Sequence, residues 1–100
     1  MSQVSFVGLE PSDALRAHAE QKIAALARDP EMRSCRVVLE SHGHAHAGHR
    51  YRAKFEIEVP RDTLVIGSRG DAYGDPYAAI DAGYDEAKRA VREHAARRKP

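Results

Sequence analysis

Between Tyr51 and Val59, apolar and charged residues alternate without a break. Tyr51, Ala53, Phe55, Ile57 and Val59 are apolar, and Arg52, Lys54, Glu56 and Glu58 stand between them. Side chains alternate faces along a strand, so this pattern predicts a strand with one oily and one wet face. Such a strand needs neighbours to pair with and a layer over its oily side. Three further runs supply neighbours. Val4 to Leu9 reads as a first strand, with Val4, Phe6 and Gly8 on one face. Cys35 to Ser41 reads as a second. Its consecutive Val37, Val38 and Leu39 predict an inner strand with both faces at least partly covered. Thr63 to Ser68 is the fourth, reached through a tight tip at Arg61-Asp62 after Pro60. The stretch from His42 to His49 is polar and contains glycine, and it predicts the turn before the organising strand.

Two stretches change period. Ser12, after Pro11, is a suitable N-cap for a helix running to about Arg28. Leu15, Ala19, Ile23 and Leu26 form its apolar stripe, and Asp29-Pro30 ends it. After a Gly/Asp loop from Arg69 to Gly74, Asp75 sits at an N-cap and Pro76 at the first helical position. This helix runs to roughly Arg97, with Tyr77, Ile80, Tyr84, Ala87 and Val91 as its stripe. The order is β-α-β-β-β-α. A strand, a helix and a second strand predict a parallel pair with a right-handed crossover, and the following hairpins continue antiparallel. The expected fold class is α+β, a two-layer sandwich with both helices on one face of a four-stranded mixed sheet. Residues 1–100 are expected to form one domain.

Composition removes several function classes. The chain has 100 residues, 42% apolar and 31% charged, with a net charge of +1. Bulk charge therefore selects no partner, and local charge has to carry any such argument. Cys35 is the only cysteine, so no internal disulfide forms; it suits a reducing compartment and reads as a small core residue. No apolar run approaches the ~20 residues of a membrane span, and the N-terminus lacks a signal-peptide pattern. A cytoplasmic protein without a membrane partner is expected. No Ser/His/Asp or Cys/His arrangement is present, and Gly70-Asp71 and Gly74-Asp75 match no phosphate-loop pattern. The chain reads as a non-enzyme without a cofactor.

Local charge is more informative. On a helical wheel Lys88, Arg92 and Lys99 share one flank of the last apolar stripe, Arg89 lies further round, and Glu86 and Glu93 lie opposite. From Ala87 to Pro100 there are six basic residues and one acidic. That end can neutralise nucleic-acid phosphates. It can equally serve the helix macrodipole, with Asp85–Arg89 and Glu93–Arg97 as i,i+4 pairs. Arg16 and Lys22 flank the first helix's stripe on opposite sides. They can act as phosphate contacts only if the two helices expose a shared basic rim. His42, His44, His46 and His49 form a His-x-His-x-His-x-x-His tract, which opens a metal-binding alternative as well as that of a solvated turn. Arg50, Arg52 and Lys54, with Arg36 across from them, would join protonated histidines in a second basic patch that strengthens at lower pH. A third class is a protein-interaction module that pairs through an exposed sheet edge, the first or fourth strand.

Several of these segments resemble the short ribosome hibernation-promoting factors and the ribosome-associated inhibitor A group. The clearest is Asp75-Pro76-Tyr77-Ala78-Ala79-Ile80-Asp81 at the start of the last helix. Ala14-Leu15-Arg16 followed by Lys22, and Val37-Val38-Leu39-Glu40, match the family's first helix and second strand. Ser34-Cys35-Arg36-Val37-Val38, the His-rich hairpin and Pro11-Ser12 resemble a single-domain branch. The resemblance implies a factor that occupies the messenger- and transfer-RNA channel of the small ribosomal subunit and silences translation in stressed or stationary cells. It implies ribosomal RNA as partner, read by shape and phosphate, with no DNA partner. Arg16, Lys22, Arg89 and Arg92 match basic family positions, whereas Lys88 is basic at a position that is not typically basic in the family. Glu86, Glu93 and Ala96 stand where many members are basic, and Ala72-Tyr73-Gly74 looks like an insertion. Each cation replaced in this way removes affinity for phosphate and salt sensitivity with it. The chain is expected to lack the separate C-terminal dimerisation domain of the long family form. The expectation is that the chain alone does not join two ribosomes.

Overall fold

The structure, a computed structural model, describes residues 3–44, 48–67 and 74–98, with the backbone alone for 42–44, 48–49 and 98. Its elements are β1 (Val4–Val7), α1 (Asp13–Leu26), β2 (Ser34–His44), β3 (Gly48–Val59), β4 (Asp62–Gly67) and α2 (Pro76–Arg98). The sheet order is β1-β2-β3-β4. β1 and β2 are parallel, with Val4 opposite Val37 and Phe6 opposite Leu39. β2 and β3 are antiparallel, with Val37 opposite Phe55 and Leu39 opposite Ala53. β3 and β4 follow, with Phe55 opposite Ile66 and Ile57 opposite Leu64. Facing residues share a side of the sheet. The register therefore gathers the apolar set of all four strands on one side. The expected α+β sandwich, with its mixed sheet and both helices on one face, is the observed architecture.

The helices cover that side. The Leu15 amide donates to Ser12 Oγ at 3.2 Å, fixing the start of α1, and the Tyr77 amide donates to Asp75 Oδ1 at 2.9 Å at the start of α2. Leu15, Ala19 and Leu26 of α1 and Ala79, Ile80, Ala87 and Val91 of α2 are buried against Val37, Leu39, Phe55 and Ile57. Gly83 of α2 lies so close to β3 that a Cβ there would fall 2.8 Å from Phe55 Cε1.

Cys35 is buried in the same core. Desolvation pushes its thiol from 9.0 up to about 12. The folded state therefore holds this proton where the unfolded chain releases it. The stabilisation is complete below pH 9 and is lost as pH rises towards 12. Denaturation midpoints measured against pH should fall across that window, and fall less for Cys35→Ala. The native thiol should also resist alkylation until the chain is unfolded.

Local boundaries differ from expectation for identifiable reasons. β1 stops at Val7 because Gly8 turns the chain at φ 78, where a Cβ would meet the Ser41 carbonyl oxygen at 2.8 Å. Gly8 is thus a turn residue and not part of a strand face. α1 ends at Leu26 and not at Arg28. The Arg28 and Asp29 amides donate to the carbonyls of Ala25 and Leu26, three residues back, and this tightens the last turn. The tip after β3 is Pro60-Arg61, since Asp62 already pairs with Val59. Arg61 takes φ 68 there, as a proline-led type II turn requires of its second central residue. The strands continue into the histidine tract, with His42 opposite Arg50 and Gly43 opposite His49. Part of the turn expected over His42–His49 is thus strand; residues 45–47 lie outside the described residues, as do residue 68 of the expected fourth strand and 69–73 of the expected Gly/Asp loop. Among the described residues no element covers the second sheet face. Val38 is only half-buried there, while Val7 is 53% and Val65 57% exposed. Tyr77 leaves the apolar stripe and is 38% exposed.

Candidate nucleic-acid interface

The strand–helix–strand crossover and the two hairpins send α1 and α2 in the same direction along the sheet. The contacts advance together on both helices. His18 meets Tyr77 and Asp81, Lys22 meets Asp81 and Tyr84, and Ala25 and Leu26 share a groove with Lys88 and Val91. Both C-terminal ends therefore lie at the same end of the molecule. Their partial negative charges favour cations there, and the groove between the helices ends among them.

Charge is graded along this groove. At its head, Asp81 Oδ1 lies 2.7 Å from His18 Nε2 and 3.5 Å from Lys22 Nζ. At its centre, the ammonium groups of Lys22 and Lys88 lie 4.9 Å and 5.6 Å from the centroid of the Tyr84 ring, within cation–π range. At its foot is a hollow of about 420 Å³ lined by Arg28, Lys88 and Arg92 above Leu26 and Val91. Asp29 also borders the hollow, but its Oδ1 accepts the Glu31 amide at 2.9 Å. Among the described residues no carboxylate is in salt-bridge range of Arg28, Lys88 or Arg92. The foot is consequently the positive end.

The five basic residues singled out in the sequence separate into three places. Lys22, Lys88 and Arg92 meet at the groove. Arg16 points the other way along α1: its Nη1 donates to the Val4 carbonyl at 3.2 Å, and its guanidinium lies 5.2 Å from the Phe6 ring centroid. This contact clamps α1 to β1. Arg89 lies on the outer flank of α2, 62% exposed in its side chain, and pairs with Glu86 at 3.3 Å. The expected partner was Asp85. Glu86 is one methylene longer and held in a half-buried position, so its carboxylate reaches the guanidinium first. The expected Glu93–Arg97 pair does not form among the described residues. Lys99 lies outside them.

Sequence reasoning missed Arg28, His18 and the polar use of Tyr84. The i,i+4 repeat Tyr84, Lys88 and Arg92 carried part of the signal, but only the parallel course of the helices brings Arg28 and Lys22 to it. A second hollow, of about 400 Å³, opens on the sheet beside Arg36, Glu56 and Glu58. It suits phosphate poorly, because Arg36 is paired with Glu56 at 2.9 Å and Ser34 Oγ donates to Glu58. For His42, His44 and His49 the backbone register is described but not the side chains, and His46 lies outside the described residues. The two sheet edges are β1 and β4, as the edge-pairing alternative requires. Among the described residues no helix is long and apolar enough to cross a membrane.

Residues 2–99 match the family described as Sigma 54 modulation protein / S30EA ribosomal protein. Among solved structures, the chain is similar to the N-terminal domain of Protein Y from Thermus thermophilus. The TM-score is 0.70 at 23% identity, over 91% of this chain and 94% of that one. It is also similar to a ribosomal subunit interface protein from Coxiella burnetii, with a TM-score of 0.65 at 18% identity over 93% of this chain and 97% of that one. At these identities the likeness is one of fold. No curated protein matches the chain.

Proposed function

The chain belongs to the Sigma 54 modulation protein / S30EA ribosomal protein family, and from that premise we propose that it is a non-catalytic, cytoplasmic ribosome-associated factor. In this reading it binds the small ribosomal subunit through ribosomal RNA and inhibits translation in stressed or stationary cells. The observation that carries the reading is the family match over nearly the whole chain. The fold shared with a ribosomal subunit interface protein is consistent with it. The groove adds a physical means. Lys22, Lys88, Arg92 and Arg28 form one basic rim across two helices, the arrangement that neutralises closely spaced phosphates. Recognition by such a rim follows backbone shape, because lysine and arginine on phosphate carry no base information.

Co-sedimentation of the protein with purified small subunits across a salt series tests the reading. Binding should be saturable and should fall steeply with salt, each phosphate contact adding a slope of about −0.7 to −0.9 in log K against log salt. Absence of binding at low salt overturns the reading.

A further inference from the structure

The foot of the interhelical groove is more than a row of cations, because it has depth and an apolar wall. We propose that it is a pocket for a single unstacked nucleotide, with the base against Ala25 and Tyr84 and the phosphate on Arg28, Lys88 and Arg92. The inference deepens the ribosome-binding reading by naming what this part of the surface holds.

Three features support it. First, the hollow, at about 420 Å³, lies in the ~300–1,000 Å³ range of small-ligand clefts. A flat phosphate-tracking surface would need no such depth. Second, its chemistry is divided in the way a nucleotide is divided. Leu26 and Val91 close the floor at 2% and 1% exposure, Ala25 and Tyr84 form the wall, and the three cations stand at the rim. Base–aromatic contact is worth ~1–3 kcal/mol and tolerates any base, whereas the rim recognises phosphate. Third, the rim cations are available. No carboxylate of the described residues pairs with them, and Lys88 has only the Tyr84 ring, at the longer of the two lysine distances. Its four-carbon stem lets the ammonium turn from the ring to an incoming phosphate while the base takes its place on the wall. Lys22 stays on the ring, held by Asp81.

The ligand is thus a nucleoside phosphate, supplied either as a free nucleotide or as an unpaired residue of RNA whose base is splayed out of its stack. Methyl and aromatic NMR shifts of Ala25, Leu26, Val91 and Tyr84 in the full chain distinguish the cases. The probes are guanosine 5′-monophosphate, ribose 5-phosphate and a single-stranded pentauridylate. The monophosphate and the pentanucleotide should each move these signals saturably, and ribose 5-phosphate should not. Pentanucleotide affinity at least about tenfold above that of the monophosphate assigns the site to RNA; equal or weaker affinity assigns it to free nucleotide. Arg28→Gln should weaken binding about fivefold, the loss of roughly 1 kcal/mol of charge-assisted contact. Ala25→Phe should fill the hollow and abolish the shifts; if it disturbs the circular dichroism, Arg28→Gln decides. Equal response to ribose 5-phosphate, or none to any probe, overturns the pocket. Small-subunit co-sedimentation of the same preparation stands apart: ribosome binding without nucleotide shifts refutes the pocket alone, and nucleotide shifts without ribosome binding refute the ribosome reading alone.

Discussion

Gly83→Leu should lower stability by about 3 kcal/mol or more, a large share of a total of ~5–15 kcal/mol. Propensity alone predicts the opposite sign, since a glycine inside a helix costs ~1 kcal/mol relative to alanine. The helix tolerates it because α2 lies against β3. A Cβ at position 83 would stand 2.8 Å from Phe55 Cε1, 3.1 Å from Phe55 Cδ1 and 3.3 Å from the Ala53 carbonyl oxygen. Phe55 is completely buried, and Ile57 and Leu39 around it are equally enclosed, so the ring has no free volume to enter. Even Gly83→Ala should therefore lose about 1 kcal/mol net, as overpacking outweighs the propensity gain. Urea denaturation of both variants gives the values. Combining Gly83→Ala with Phe55→Leu should recover part of the alanine penalty, because the ring is the obstacle. A rise in melting temperature for Gly83→Ala would mean that the helix does not press on the sheet at this point.

That close approach marks the limit of what periodicity reveals. The alternation of Tyr51 to Val59 and the stripes Leu15-Ala19-Ile23-Leu26 and Ile80-Ala87-Val91 specify strands, helices and their inward faces, because burial enforces period two or 3.6 wherever one side is covered. Gly83 carries no periodic signal; its reason lies on β3. Boundaries fail in the same way. Gly8 ends β1 because of Ser41, and Asp62 joins β4 because Arg61 accepts a left-handed backbone.

The candidate site follows the same division. Lys88 and Arg92 share a wheel position, and Lys22 is legible as a flanking cation. Arg28 lies beyond the helix end and reaches the groove only through the tight turn after Leu26. Tyr84 reads as core from its spacing, yet its ring receives two ammonium groups from different helices. Arg16 and Lys22 stand on opposite sides of the first helix's stripe, but the sequence does not say what Arg16 faces. Arg16 faces β1, where a carbonyl and a phenyl ring engage its guanidinium.

The double reversal Lys88→Glu with Arg92→Glu should lower affinity for the small subunit by about 100-fold or more at moderate salt, and flatten the salt slope by roughly 1.4 to 1.8 for the two phosphates no longer neutralised. Both residues line the positive foot of the groove, so the change places two carboxylates where the proposed reading puts phosphate. Stability should fall only modestly, since Lys88 and Arg92 lie before the last turn of α2, where the macrodipole has faded, and among the described residues neither has a carboxylate partner to lose; a native circular dichroism spectrum verifies this. Arg89→Glu is the informative companion. Arg89 is a contact expected from the sequence, but it sits on the outer flank of α2 and is already engaged with Glu86. If the groove is the contact surface, this single reversal should cost less than about tenfold. If Arg89→Glu proves as damaging as the double reversal, the RNA-facing side of α2 is its outer flank, and the convergence of Lys22 and Lys88 on Tyr84 serves to pack the two helices together.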